Sequence, residues 1–176
     1  MQEIKDKIRT IQDYPKQGVM FRDITTLLQD ANGFRKVVDE FVERYKGSGI
    51  NCVVGIESRG FILGGAIAHR LGVGFVPVRK KGKLPSKTVF VDYELEYGVD
   101  RVEMHVDALN ADSKVLLVDD LLATGGTMLA SIELVEKLNA KVFECAVIVD
   151  LPDLRGRKKL EEKGYSVFSL VEFEGE

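Results

Sequence analysis

Three short stretches, NCVVGI at 51–56, KVLLV at 114–118 and FECAVIV at 143–149, are apolar at almost every position instead of every second one. A strand with one wet face alternates apolar and polar residues. A strand without alternation is covered on both faces, which is the condition of a parallel sheet lying between layers of helices. The intervening segments fit that arrangement. FILGGAIAHRLG is apolar at helical spacing and closes on glycine, and Met128, Ile132, Val135 and Leu138 share one face of the segment after residue 127. With GFVPVR and YSVFSLVEF as further strands and RGRKKLEEKG as a further helix, the chain alternates strand and helix. The predicted fold is an α/β, open, doubly wound, mostly parallel sheet flanked by helices. At 176 residues it is expected to be one domain, 1–176.

Two segments stand outside the alternation. Residues 1–33 form a small N-terminal unit, in which IKDKIRTIQ places Ile4, Ile8 and Ile11 at helical spacing and GVMFRDITTLL leads on to a second helix carrying Val37, Val38, Phe41 and Tyr45. Residues 86–107 have strict period 2, with Val89, Val91, Tyr93 and Leu95 on one side and Phe90, Asp92, Glu94 and Glu96 on the other. Two such runs meeting at Gly98 describe an antiparallel hairpin extending from the sheet.

Composition narrows the function. Twenty-five Lys and Arg against 28 Asp and Glu leave a net charge of −3, so there is no general positive field for nucleic acid. No apolar run approaches the roughly 20 residues that span a bilayer, and the first thirty residues lack a signal-peptide core. The expected partners are therefore neither nucleic acid nor membrane, and the expected compartment is cytoplasmic. Cys52 and Cys145 lie inside apolar runs without CxxC spacing and read as buried free thiols. His69 and His105 are expected at a helix surface and on the hairpin's polar face, without a catalytic role.

The chemistry is concentrated in LVDDLLATGGT (117–127), where an apolar strand runs into Asp119 and Asp120 and then a glycine turn. In open α/β sheets ligands bind beyond the carboxyl ends of the strands, where the N-termini of the following helices point outward. Two carboxylates there are acceptors for a vicinal diol or ligands for a divalent cation. Ala123, Thr124, Gly125, Gly126 and Thr127 offer N–H groups clear of bulky side chains, two hydroxyls and a helix start, the composition of a phosphate cradle. A ribose 5-phosphate carries a diol and an anion at this spacing. Either half alone has a plain structural reading, as a solubilising strand end or a capped turn. Neither a dinucleotide-binding glycine motif nor a P-loop occurs in the chain.

VDDLLATGGT resembles the 5-phosphoribosyl 1-diphosphate (PRPP) motif of the type I phosphoribosyltransferases, and ATGGT after Leu-Leu is similar to the form found in their adenine-using branch. GVMFRDIT, GIESRGF, VPVRKKGKLP, LEYG and DLPDLRGRKKL match in the same order along nearly the whole chain. The resemblance implies that Asp119 and Asp120 hold the ribose hydroxyls and that the 123–127 loop holds the 5′-phosphate. It assigns the diphosphate to Ser58 and Arg59, with a cis peptide at Glu57-Ser58, and to Lys83, acting in its own or a partner subunit's site. Arg59 and Glu96 are then the catalytic residues, one taking the leaving-group charge and the other handling charge or a proton near the base. Hairpin 86–107 becomes a lid and residues 1–33 a hood that binds the base. Adenine would stack on Phe21, meet backbone groups of Met20 and Arg22, and pack on Leu151.

The implied cofactor is Mg²⁺, bound through PRPP oxygens and water and not directly by the protein. The implied reaction is adenine plus PRPP giving AMP and diphosphate, carried out by a homodimer. Transfer to another base, such as xanthine, hypoxanthine or orotate, stays open, as does a non-catalytic PRPP-sensing regulator. Lys80, Lys81 and Lys87 are either part of the anion site or a solvated charge run.

Overall fold

The computed structural model describes residues 1–95 and 98–175, with Leu95 described by its backbone alone. A short helix α1 (Gln2–Asp6) is followed by an antiparallel ribbon of β1 (Arg9–Gln12) and β2 (Met20–Asp23), then α2 (Thr25–Gln29) and α3 (Ala31–Tyr45). The alternating part runs β3 (Cys52–Ile56), α4 (Arg59–Leu71), β4 (Gly74–Lys80), the hairpin β5 (Thr88–Leu95) and β6 (Gly98–His105), β7 (Lys114–Leu122), α5 (Gly126–Lys137), β8 (Lys141–Asp150), α6 (Gly156–Glu161) and β9 (Val167–Glu172). Seven strands make one sheet in the order β5-β6-β4-β3-β7-β8-β9, parallel throughout except for the hairpin.

The unbroken apolar runs behave as their pattern predicts. Successive residues of each strand enter different cores. Val53, Leu116, Val118, Ala146 and Ile148 pack with α3 and α4. Val54, Ile56, Val115, Leu117, Cys145 and Val147 pack with α5 on the opposite face. Glu144 is the one charge inside such a run. A register shift beside Leu116 leaves Phe143 out of the ladder, and the Glu144 carboxylate is held by Arg44 Nε and Nη2 at 2.8 and 3.0 Å and by the Tyr45 hydroxyl at 2.7 Å. A buried carboxylate survives only when so satisfied. Both cysteines are free and buried, and burial pushes the Cys145 thiol up to about 12.

Two elements differ from the sequence expectation. The first helix stops at Asp6, and Arg9–Gln12 is a strand, because its partner Met20–Asp23 lies across from it in the segment expected to be a plain connection. Ile4 and Ile8 are still buried, so the apolar spacing was real while the local conformation was set by pairing. The strand expected to finish at Val118 continues to Leu122, a difference that shapes the site.

The hairpin is bonded to the sheet edge at its base, Arg79↔Glu103 and Lys80↔Val102, and its inner face of Val91, Tyr93, Val102 and Met104 is buried in the α5-side core. Phe90 is exposed, as its parity requires. Among the described residues, no helix is long and apolar enough to cross a membrane.

Candidate functional site

Strand order reverses at β3. The chain leaves it for β4 on one side and returns to place β7 on the other, which is where open α/β sheets form their ligand crevice. β7 pairs with β3 only as far as Gly55↔Val118, but with β8 as far as Leu122↔Asp150. Asp119 and Asp120 therefore sit where one neighbouring strand has ended and the other continues. Gly60, the second residue of α4, lies so close that an added Cβ would stand 2.8 Å from the Val118 carbonyl oxygen and 3.3 Å from Asp119 Cα. That approach brings the start of α4 onto the acidic end of β7.

Arg59 Nε donates to Asp120 Oδ2 at 2.6 Å, and the Asp120 backbone N–H donates to Asp119 Oδ1 at 2.9 Å. Burial, with the Asp120 carboxylate next to it, pushes the Asp119 carboxyl well above the ordinary carboxylate value. Burial works against the charged Arg59 guanidinium, but Asp120 first, then Asp119 and Asp23, raise its pKa above the usual value. Asp23 closes β2, so the N-terminal ribbon reaches the same crevice electrostatically.

Ser58 is exposed at the N-cap of α4, and the Glu57-Ser58 peptide is cis. Lys83 Nζ donates to Glu57 Oε1 at 2.6 Å within its own chain. The Glu57 carboxylate also accepts from Arg79 Nε at 3.3 Å and from the Lys80 backbone N–H at 3.0 Å. Burial opposes its ionisation, yet Lys83, the Lys80 N–H and Arg79 together draw its pKa from 4.5 to about 2. Lys80 is taken up by Asp100 and by the Tyr93 hydroxyl, while Lys81 and Lys87 are exposed. The first turn of α4 carries no acid, nor does that of α5, which leaves both helix starts open to anions.

The Ala123–Thr127 loop joins β7 to α5. Gly125 has φ +84°, a conformation that favours glycine. α6 lies directly behind it: a Cβ on Gly156 would fall 2.2 Å from the Ala123 carbonyl oxygen and 3.0 Å from Gly125 N. Arg157 fastens that helix start, its Nε donating to buried Asp150 at 2.5 Å and its other nitrogens to the Val167 carbonyl and the Ser169 hydroxyl. Lys159 Nζ adds a bond to the Thr124 carbonyl at 3.1 Å. The resulting cup, lined by Asp119 and residues 121–128, holds about 110 Å³. Ligand pockets for whole drug-sized molecules run from about 300 Å³ upward. This one suits a single terminal group.

In the N-terminal ribbon, Phe21 is half-buried and meets Tyr14 edge-on at 5.2 Å. Arg22 turns its side chain away, donating to the Thr10 hydroxyl at 2.6 Å and the Glu174 carbonyl at 3.2 Å while lying on the Phe173 ring. Both Arg22 Nη groups are thereby committed to protein partners. β2 pairs with β1 alone, and Met20 opens it. Leu151 is buried just past β8, its N–H bonded to the Leu122 carbonyl at 3.0 Å.

The structure thus brings Ser58, Arg59, Asp119, Asp120 and the 123–127 loop to one crevice, with Lys83 parked on Glu57 at its border. Glu96, expected to handle charge or a proton near the base, lies outside the described residues. Glu57, Tyr93 and Gly156 escaped the sequence reading. For Glu57 a signal existed in its place beside Ser58-Arg59; for Gly156 none did, because its importance is a contact with residues about thirty positions earlier.

The model of the phosphoribosyl transferase domain matches residues 23–175. An adenine phosphoribosyltransferase of Prosthecochloris aestuarii is 62% identical over 175 residues, covering 98% of this chain and 99% of its own. The crystal structure of the adenine phosphoribosyltransferase of Thermoanaerobacter pseudethanolicus superposes with a TM-score of 0.93 at 48% identity, over 98% of this chain and 99% of that one. The enzyme of that name from Saccharomyces cerevisiae, crystallised with an imino-altritol bisphosphate and adenine, gives 0.91 at 40% identity, over 97% of each chain. With its switch-point crevice and these likenesses over nearly the full length, the chain belongs to the phosphoribosyltransferase family.

Proposed function

We infer that the protein transfers the 5-phosphoribosyl group of PRPP to adenine, giving AMP and diphosphate. The observation that carries this reading is the order of groups on one strand end: two carboxylates, then a one-group anion cup, with Arg59 bonded across to Asp120. Adenine as the base is supported by relatives of that name, and the commitment of both Arg22 Nη groups to Thr10 and Glu174 fits a base edge read by backbone groups.

Departure of diphosphate from the anomeric carbon builds positive charge on the ribose and negative charge on the leaving group. Asp119 and Asp120 accept from the 2′ and 3′ hydroxyls and place negative charge below the ring. As the diol enters, Arg59 exchanges part of its bond to Asp120 for the diphosphate, and Lys83 exchanges Glu57 for the same anion. Ser58 adds its N-cap position at the start of α4. Residues 123–127 hold the 5′-phosphate, and that distant binding energy orients the reacting centre. Phe21 and Leu151 sandwich the base, with Met20 and Arg22 reading its edge, so that residues 1–33 serve as the hood. Hairpin 86–107 closes the site, and Glu96 carries the family's proton-handling role.

Among the described residues there is no group of three or more His, Cys, Asp or Glu able to cage a metal. Two adjacent carboxylates beside an anion site fit Mg²⁺ that arrives on PRPP oxygens and water. There it would offset diphosphate charge, and Asp119 and Asp120 would be able to hold its coordinated water. A homodimer working in the cytoplasm is the matching assembly and compartment, supported by the family pattern.

The test is an assay of adenine, hypoxanthine, guanine, xanthine and orotate with PRPP and Mg²⁺, following nucleotide and diphosphate. Adenine should react at least about 100-fold faster than the others. Equal turnover of hypoxanthine would remove the base assignment, and no diphosphate release with any base would favour a PRPP sensor.

A further inference from the structure

The geometry points to Tyr93 as a positioning residue whose hydroxyl couples occupation of the phosphate cradle to the placing of the hairpin stem. This rests on the cradle reading given above. Tyr93 lies on the inner face of β5, 9% exposed in the core between the hairpin and α5. Its ring reaches the cradle directly, since a Cβ on Gly126 would meet Tyr93 Cδ2 at 3.5 Å and the Glu94 carbonyl oxygen at 3.7 Å.

Its hydroxyl joins three elements. Thr127, the last residue of the cradle loop, donates to Tyr93 Oη at 3.2 Å. Lys80 Nζ, at the end of β4, donates to the same oxygen at 2.7 Å. Tyr93 in turn donates to Asp100 Oδ2 at 3.0 Å, on the opposite strand of the hairpin, where Lys80 also binds. Burial works against the Lys80 ammonium, but Asp100 and Tyr93 more than compensate and hold it above the ordinary lysine value.

A hydroxyl has one proton to give. With the cradle empty, Thr127 spends its proton on Tyr93, and Tyr93 spends its own on Asp100. A phosphate in the cradle accepts from Thr127, which frees the Thr127 oxygen to accept. Tyr93 can then turn its proton from Asp100 to Thr127, and Asp100 keeps Lys80 and the Arg101 backbone N–H as its donors. The filled cradle thereby draws β5 toward α5 and shifts the β5–β6 stem relative to β4. No other hydroxyl of the hairpin bonds to the cradle among the described residues. Tyr93 acts through Thr127, so its effect belongs on turnover more than on binding.

The experiment uses ribose 5-phosphate, which fills the cradle without diphosphate or base, and measures hydrogen exchange in Thr88–Leu95 and Gly98–His105. In the wild-type chain saturating ribose 5-phosphate should slow exchange in both strands at least about threefold. Tyr93→Phe keeps the ring and the core; it should bind ribose 5-phosphate within about threefold of wild type, lose that slowing, and lower kcat about tenfold with little change in KM for PRPP. Asp100→Ala, which removes the acceptor on β6 and so breaks the chain of bonds, should show the same split. Hairpin slowing that persists in Tyr93→Phe, or an unchanged kcat, overturns the relay. Ribose 5-phosphate that binds wild type without slowing the hairpin also overturns it and leaves the cradle standing. Failure of ribose 5-phosphate to compete with PRPP removes the cradle itself, and the relay with it.

Discussion

The loop after β7 is held by backbone packed against backbone, whereas the loop after β3 is held by opposite charges. Behind Ala123 and Gly125 stands the start of α6, close enough that Gly156 has no room for a methyl group. Around Ser58 and Arg59 the fixtures are Glu57 with Lys83 and Arg79, and Arg59 with Asp120. Shape does not change when an anion arrives. Charge pairs do, because the incoming ligand competes for their cations. The first loop is thus suited to a group that stays bound through the reaction, the second to one that arrives, loosens and leaves.

That contrast can be broken most severely at Gly156. Its replacement by valine should raise KM for PRPP by about 5- to 150-fold while leaving adenine affinity near wild type, because overpacking of about 1–3 kcal/mol falls on the cradle. Normal PRPP affinity in this variant would mean that α6 does not support the loop. Glu57→Gln comes next. The Glu57 carboxyl titrates near 2 in the fold against an ordinary 4.5, so its contribution is complete above about pH 4.5 and is lost as pH falls toward 2. The variant should therefore unfold at lower temperature than wild type at pH 7, and the gap should close in acid; a gap independent of pH would show that the carboxylate charge is not what holds Lys83 and Arg79.

Salt should separate the loops more gently. Raising ionic strength from about 0.05 to about 0.5 M should weaken inorganic diphosphate more than ribose 5-phosphate, measured by calorimetry, because exposed charge pairs are screened over about 10 Å or less. Equal slopes would erase the distinction. The smallest effect is expected from Lys159→Ala, which removes one bond to the Thr124 carbonyl and should change KM for PRPP by less than about fivefold. A larger change would assign the support of the cradle to that side chain and not to Gly156.

The parts of the molecule legible in its sequence are those governed by short-range periodicity. Runs without alternation become strands shared between two cores, and the period-2 segment becomes the hairpin with Val91 and Tyr93 inside. The meeting of Asp119, Asp120, Arg59 and residues 123–127 in one candidate site was also readable, since they lie at the ends of recognisable strands. What could not be read depends on distant partners. β1 is a strand because Met20–Asp23 lies beside it, and Ile4, Ile8 and Ile11 suggested a single helix through it. The extension of β7 past Val118 is fixed by β8 alone. Glu57 looks like one more acid until Lys83, Arg79 and the Lys80 N–H are seen to converge on it, and nothing near Gly156 announces that Ala123 lies against it.

The unequal pairing of β7 gives the apolar core a part in setting catalytic dimensions. Up to Val118 this strand is paired on both sides; beyond it, among the described residues, β8 is the one strand that pairs with the segment carrying both aspartates. The opening then begins where β3 ends and β7 goes on, above Val53, Leu116 and Val118 of the core and with Gly60 wedged against Val118 and Asp119. The core acts as a calliper whose jaws are Arg59 and Asp120. A methylene added or removed well below the crevice would reset the gap between them, so this enzyme's reaction geometry is exposed to substitutions that never meet a substrate.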